Sequence, residues 1–147
     1  MMSKAITTNV YINASPEVVW VWLTSPEHLQ QWMGDADLQI STESDWQTGS
    51  PIVISGFHHA YFRNTGFVVR NEAPYRLTYT HLSSLSHLSD SSDNYACFDF
   101  KLSISGNGTL LLLEVSNCVT ESIFRHLQFY WPTTLQILKD KIESVYL

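Results

Sequence analysis

Apolar residues fall at helical spacing near both ends of this chain, and on strand-like segments and turns between them. A first strand begins near Ala5 and closes on Val10-Tyr11-Ile12. Ser15 then suits an N-cap, Pro16 the first helical position and Glu17 the electropositive first turn. The helix expected from Pro16 to about Thr24 stacks Val18 over Trp22 and Val19 over Leu23. Ser25-Pro26-Glu27 repeats the start signal and predicts a second short helix to about Met33, ended by Gly34.

Strands follow at Leu38–Thr42, Ile52–His59, Gly66–Asn71 and Arg76–Leu82. Trp46 to Ser50 reads as a turn, Tyr61-Phe62-Arg63-Asn64 as a link, and Ala73-Pro74 as a second turn. Residues 83–93 are serine-rich without a period and read as a mobile surface loop. Asn107-Gly108 is a hairpin signal, because both central positions of a type I′ turn need positive φ. That turn sets Phe100 opposite Val115, Leu102 opposite Leu113 and Ile104 opposite Leu111, with Lys101 facing Glu114 and Cys97 facing Cys118. From Thr120 onward the spacing is helical: Phe124, Leu127, Trp131, Leu135, Leu138 and Ile142 mark one buried face. Pro132 cannot donate to the Gln128 carbonyl, so the helix is expected to kink or start its regular part there.

At 147 residues the chain has the length of a single domain, taken as residues 1–147. A hydrophobic share of 44% argues against disorder. Net charge of −6 with only eight scattered Lys and Arg argues against nucleic acid and anionic membrane surfaces. No apolar run reaches the ~20 residues of a spanning helix, and no signal-peptide core follows Met1-Met2-Ser3-Lys4, so a cytoplasmic protein without membrane insertion is expected. There a Cys97–Cys118 bridge would stay reduced.

The element order resembles the START-like (SRPBCC) superfamily, and within it the activator of heat-shock protein 90 ATPase homologue family. The carrying residues are Ala14-Ser15-Pro16-Glu17-x-Val19-Trp20-x-x-Leu23-Thr24-x-Pro26-Glu27-x-Leu29-x-x-Trp32, then Gly66. Pro74-x-Arg76-Leu77-x-Tyr79-Thr80, Gly108-Thr109-x-Leu111 and Trp131-x-x-x-Leu135-x-x-Leu138-Lys139 complete them. The resemblance implies an α+β helix-grip fold: six or seven antiparallel strands curled around the long C-terminal helix, with a cavity between. Two departures stand at a possible ligand mouth: His81, where relatives commonly carry an aromatic, and the serine-rich loop.

The candidate chemistry is modest. His58 and His59 are adjacent on a strand and leave opposite faces, while His28, His81, His87 and His126 lack zinc spacing, so no metal or cofactor is expected. No Gly-x-Ser-x-Gly turn or phosphate loop occurs, and no catalytic residue is assigned. The leading expectation is non-catalytic binding of a small apolar or amphipathic molecule. Trp131 and Leu135 would form the helix wall, and Phe57, Phe67, Tyr79 and Phe98 the sheet side, with Trp32 beside them and His81 as polar anchor. Plain core packing is the competing reading for each aromatic. Two other functions stay open: a chaperone-like protein-interaction module, marked by an exposed apolar patch on the sheet exterior, and a cyclase or dehydratase with converging ionisable groups in the cavity.

Overall fold

Alternating apolar positions assemble a seven-stranded antiparallel sheet in the computed structural model, which describes residues 4–34, 38–58 and 60–146. The strands are β1 (Lys4–Ile12), β2 (Ser41–Glu43), β3 (Pro51–His58), β4 (Ala60–Glu72), β5 (Arg76–Ser83), β6 (Ala96–Ser105) and β7 (Gly108–Cys118). They lie in the order β1-β7-β6-β5-β4-β3-β2. Two short helices, α1 (Pro16–Thr24) and α2 (Pro26–Trp32), follow β1, and α3 (Glu121–Tyr146) ends the chain. This is the expected α+β architecture. Ser15 caps α1, its Oγ accepting from the Val18 N–H at 3.3 Å.

Helix α3 stays helical through Pro132 and buries Trp131, Leu135, Leu138 and Ile142. These meet the inward residues of the sheet, among them Ile12, Leu77, Phe98, Phe100, Leu111 and Leu113, each no more than 1% exposed. The far end of α3 is tied to β1. Lys139 Nζ donates to the Tyr11 carbonyl at 2.8 Å and pairs with Glu143 at 2.7 Å. Glu143 also accepts the Asn13 N–H at 2.9 Å.

The β6–β7 hairpin differs from the expected register. Its two loop residues are Gly106-Asn107, because Ser105 pairs with Gly108. Gly106 has φ +58, and glycine at a first central position of positive φ suits a type II′ turn. Gly108 is instead buried in β7 beside the Ile12 carbonyl. Phe100 therefore faces Leu113, Leu102 faces Leu111 and Ile104 faces Thr109. The slip is two residues, so every side chain keeps its face. Lys101 still reaches Glu114, now diagonally, at 3.0 Å. Cys97 faces Ser116 rather than Cys118, and both cysteines are free.

Three other segments depart from expectation. The assumed link Tyr61–Asn64 is part of the long strand β4. The strand expected at Leu38–Thr42 reduces to Ser41–Glu43, after Gln39 at φ 50. The serine-rich segment folds into two short 3₁₀ turns, Ser84–Ser86 and Ser92–Asn94. Ser84 Oγ accepts the Arg63 N–H, and Asn117 Nδ2 donates to the Asp93 and Tyr95 carbonyls, each at 2.9 Å. Residues 1–3, 35–37, 59 and 147 lie outside the described residues, so the reading of the His58–His59 pair does too. Among the described residues no helix is long and apolar enough to cross a membrane.

Strands β4 and β5 interrupt their ladder between the pairs Thr65–Leu82 and Val68–Tyr79. In the gap the Phe67 N–H donates to Thr80 Oγ1 at 2.9 Å. A Cβ added to Gly66 would sit 1.8 Å from the Thr80 carbonyl oxygen, a clash with backbone that no rotamer relieves. Gly66→Ala is expected to lower stability by about 2–3 kcal/mol, the upper range for overpacking, measured by urea unfolding. An Ala variant within 0.5 kcal/mol of wild type, the ~±0.5 range of neutral substitutions, would refute this close approach.

Candidate functional site

Beneath the first half of α3 the inward aromatics form one continuous stack. Tyr79 and Phe98, adjacent on β5 and β6, lie nearly parallel with centroids 5.5 Å apart. Phe98 meets the Trp131 edge at 5.5 Å, and Trp131 meets Trp32 at 6.2 Å. Trp32 is fixed by its Nε1–H, which donates to the Trp22 carbonyl at 2.9 Å. Tyr130, one residue before Trp131, donates its hydroxyl to the Met33 carbonyl and so links α3 to the end of α2. Trp32, Tyr79, Phe98, Trp131 and Leu135 thus converge in the groove, at most 5% exposed. They fill it. Trp131 Nε1 is buried with no hydrogen-bond partner among the described residues.

The space left open is at the side of this stack, where the β4–β5 ladder is interrupted. A shallow cleft of ≈ 150 Å³, shared with open solvent and without room for an enclosed water, is lined by Ile52, Ile54, Asn64, Thr65, Tyr79, Thr80 and His81. His81 stacks on Phe98 at 5.1 Å, its ring continuing the aromatic series. Asn64 lines the cleft, and its Oδ1 is buried with no hydrogen-bond partner among the described residues. Trp46, from the β2–β3 connection, meets Tyr79 edge-on at 6.4 Å. Its φ of 62 is costly for a bulky side chain, a cost of ~1–3 kcal/mol that the surroundings must offset.

Ionisable groups here are held neutral. Burial, aided by His126 on α3, pushes the His81 imidazole down to about 4. Burial raises the Tyr79 phenol well above its ordinary range and pushes Tyr130 up to about 12. At neutral pH the cleft is therefore an uncharged surface carrying hydrogen-bonding groups. It suits holding a molecule better than transferring a proton, which favours a pKa near the working pH. Among the described residues no group of three or more His, Cys, Asp and Glu could hold a metal ion.

Two predicted site residues belong elsewhere. Phe57 and Phe67 are 51% and 54% exposed. Ile52, Ile54 and Gly56 take the inward positions of β3, so Phe57 leaves on the other face, opposite Tyr61. Val68 takes the inward position of β4, and Phe67 faces out opposite Pro51. Sequence reasoning missed Asn64, Ile52, Ile54, Thr80 and Trp46. The alternation through Ile52-Val53-Ile54 carried the signal for β3, since it also sends Phe57 outward. Asn64 was hidden by reading Tyr61–Asn64 as a link.

Comparison with known proteins follows the same lines. No curated protein matches the chain by sequence. Among solved structures, the solution structure of ChR145 from Cytophaga hutchinsonii superposes with a TM-score of 0.80 at 27% identity, covering 99% of this chain and 98% of that one. The crystal structure of CalU16 from Micromonospora echinospora gives 0.73 at 23% identity over 95% and 76%. A structure described as the Aha1 dimer from Colwellia psychrerythraea gives 0.75 at 21% identity over 95% and 96%. The family described as "Activator of Hsp90 ATPase homolog 1-like protein" matches residues 13–143. With that match running from the end of β1 nearly to the end of α3, the chain belongs to the Activator of Hsp90 ATPase homolog 1-like family.

Proposed function

We propose that this protein is a non-catalytic, cytoplasmic binding module for a small apolar or amphipathic molecule, taken up at the Asn64–Tyr79–His81 cleft. The observation that carries the reading is the interruption of the β4–β5 ladder, where Asn64, Thr65 and Thr80 join Ile52, Ile54, Tyr79 and His81 around a cleft open to solvent. A few placed polar groups on an apolar lining are how ligand sites are commonly built. The packing of Trp32, Phe98 and Trp131 leaves no enclosed space, so a ligand enters only as the side chains around the cleft move apart. The ionisable side chains lining the cleft are Tyr79 and His81, both held neutral, which favours binding over cyclase or dehydratase chemistry. Thermal unfolding against a panel of fatty, terpenoid and aromatic compounds tests this. A ligand at 100 times its Kd adds ~2.7 kcal/mol, a rise in Tm of about 5–10 °C for a chain this size. A flat Tm across the panel would remove the reading.

A second reading has its own observation. Phe57, Tyr61 and Phe67 stand exposed on the outer face of β3 and β4, where a protein partner or second copy could dock. The Colwellia relative is described as a dimer. Sedimentation velocity of wild type against Phe57→Ser/Tyr61→Ser decides its self-association form, since only docking through this face makes the two differ.

A further inference from the structure

We propose that Trp46 is a self-inhibitory cover on Tyr79, and that an apolar ligand gains its place in the groove by displacing the indole outward. This deepens the ligand-binding reading and rests on it. Three observations combine. First, the cleft beside Tyr79 has no enclosed room, so a side chain must leave before an apolar molecule is admitted. Phe98 and Phe100, which also pack on Tyr79, stand on β6 and are fixed by its ladders. Trp46 comes instead from the irregular connection between Glu43 at the end of β2 and Pro51 at the start of β3. Second, Trp46 is only partly buried, whereas Tyr79, Phe98 and Phe100 are at most 5% exposed. Turning it outward therefore costs fewer contacts than moving any of those three. Third, its backbone is held and its ring is not. The φ of 62 is a left-handed conformation that a bulky residue adopts only under constraint. The Trp46 N–H donates to Ser44 Oγ at 3.0 Å, and its carbonyl accepts from Asn71 Nδ2 at 2.8 Å. Ser44 Oγ in turn donates to the Pro51 carbonyl at 2.9 Å. These bonds fix the main chain so that the ring is aimed at Tyr79. A ring that swings about its own side-chain bonds breaks none of them, so the cover opens while the connection stays folded.

Calorimetric titration of 1-octanol into the full chain, comparing wild type with Trp46→Asn, tests the cover. Asparagine tolerates positive φ and carries no ring. A closed cover lowers apparent affinity by the fraction of molecules that stand open, and its removal restores that factor. The expected result is octanol binding at least tenfold tighter in Trp46→Asn than in wild type. Saturable binding by wild type with an affinity in Trp46→Asn within threefold of it, or weaker, overturns the cover alone, because the indole would then be a fixed wall. No saturable binding by either protein overturns it together with the binding reading. Fluorine NMR of wild type labelled with fluorotryptophan decides the matter even where Trp46→Asn fails to fold. The Trp46 signal, identified by its loss in Trp46→Phe, is expected to move toward the position of the free amino acid as octanol saturates. A Trp46 signal unmoved at saturation overturns the cover.

Discussion

Trp131→Ala is expected to cost about 3–5 kcal/mol of stability, the range for truncating a large buried aromatic. The indole is 3% exposed and meets Trp32, Phe98, Phe100 and Tyr130. Its removal strips one side from each of those contacts and leaves a void, because the sheet and α3 are held apart by their other packed residues. The void should be apolar and dry, and such voids admit small aromatic molecules. Added indole is therefore expected to recover part of the lost stability in the variant and to leave wild type unchanged. Urea unfolding with and without indole measures both effects. A loss under 1 kcal/mol, well short of that ~3–5 kcal/mol range, would show that Trp131 does not fill the groove.

His81 gives the second large effect, and it acts through pH. Its folded imidazole titrates at about 4, lowered by burial and then by His126, against an ordinary value of 6.5. Between those values the unfolded chain binds the proton and the folded chain does not. Stability therefore rises with pH across this window, and it is lost as pH falls from 6.5 towards 4. The loss is no more than about 3.5 kcal/mol, since each pH step of one is worth ~1.36 kcal/mol. Tyr79 on its own strand and Tyr130 on α3 keep their protons throughout, and His126 is solvent-exposed. Unfolding free energies for wild type and His81→Gln at pH 4.5, 5.5, 6.5 and 7.5 provide the check. The variant is expected to lack most of the slope. Equal slopes would mean that the imidazole is not held neutral.

Much of this architecture was legible in the residues because single positions carried it. Ser15-Pro16-Glu17 starts α1, and the Trp131-Leu135-Leu138-Ile142 spacing buries one face of α3. The hairpin turn was misread because Gly106-Asn107-Gly108 offers two adjacent turn pairs. Choosing between them needs β1, whose Ile12 carbonyl presses on Gly108. Faces survived the error because the two registers differ by an even number of residues. The site was less legible for a related reason. Phe67-Val68-Val69 is apolar throughout, so alternation cannot say which residue points inward, and the bulge after Val68 breaks the parity. Asn64 and His81 come together only because β4 and β5 approach so closely at Gly66 and Thr80, a contact between residues fourteen apart that no local pattern encodes.

An amide-resolved NMR titration with 1-octanol tests most directly whether this cleft is where the molecule does its work. The account predicts saturable shifts at Ile54, Asn64, Gly66, Thr80 and His81, with Phe57 and Tyr61 unmoved. Shifts confined to the outer face around Phe57, Tyr61 and Phe67, with the cleft silent, would contradict it.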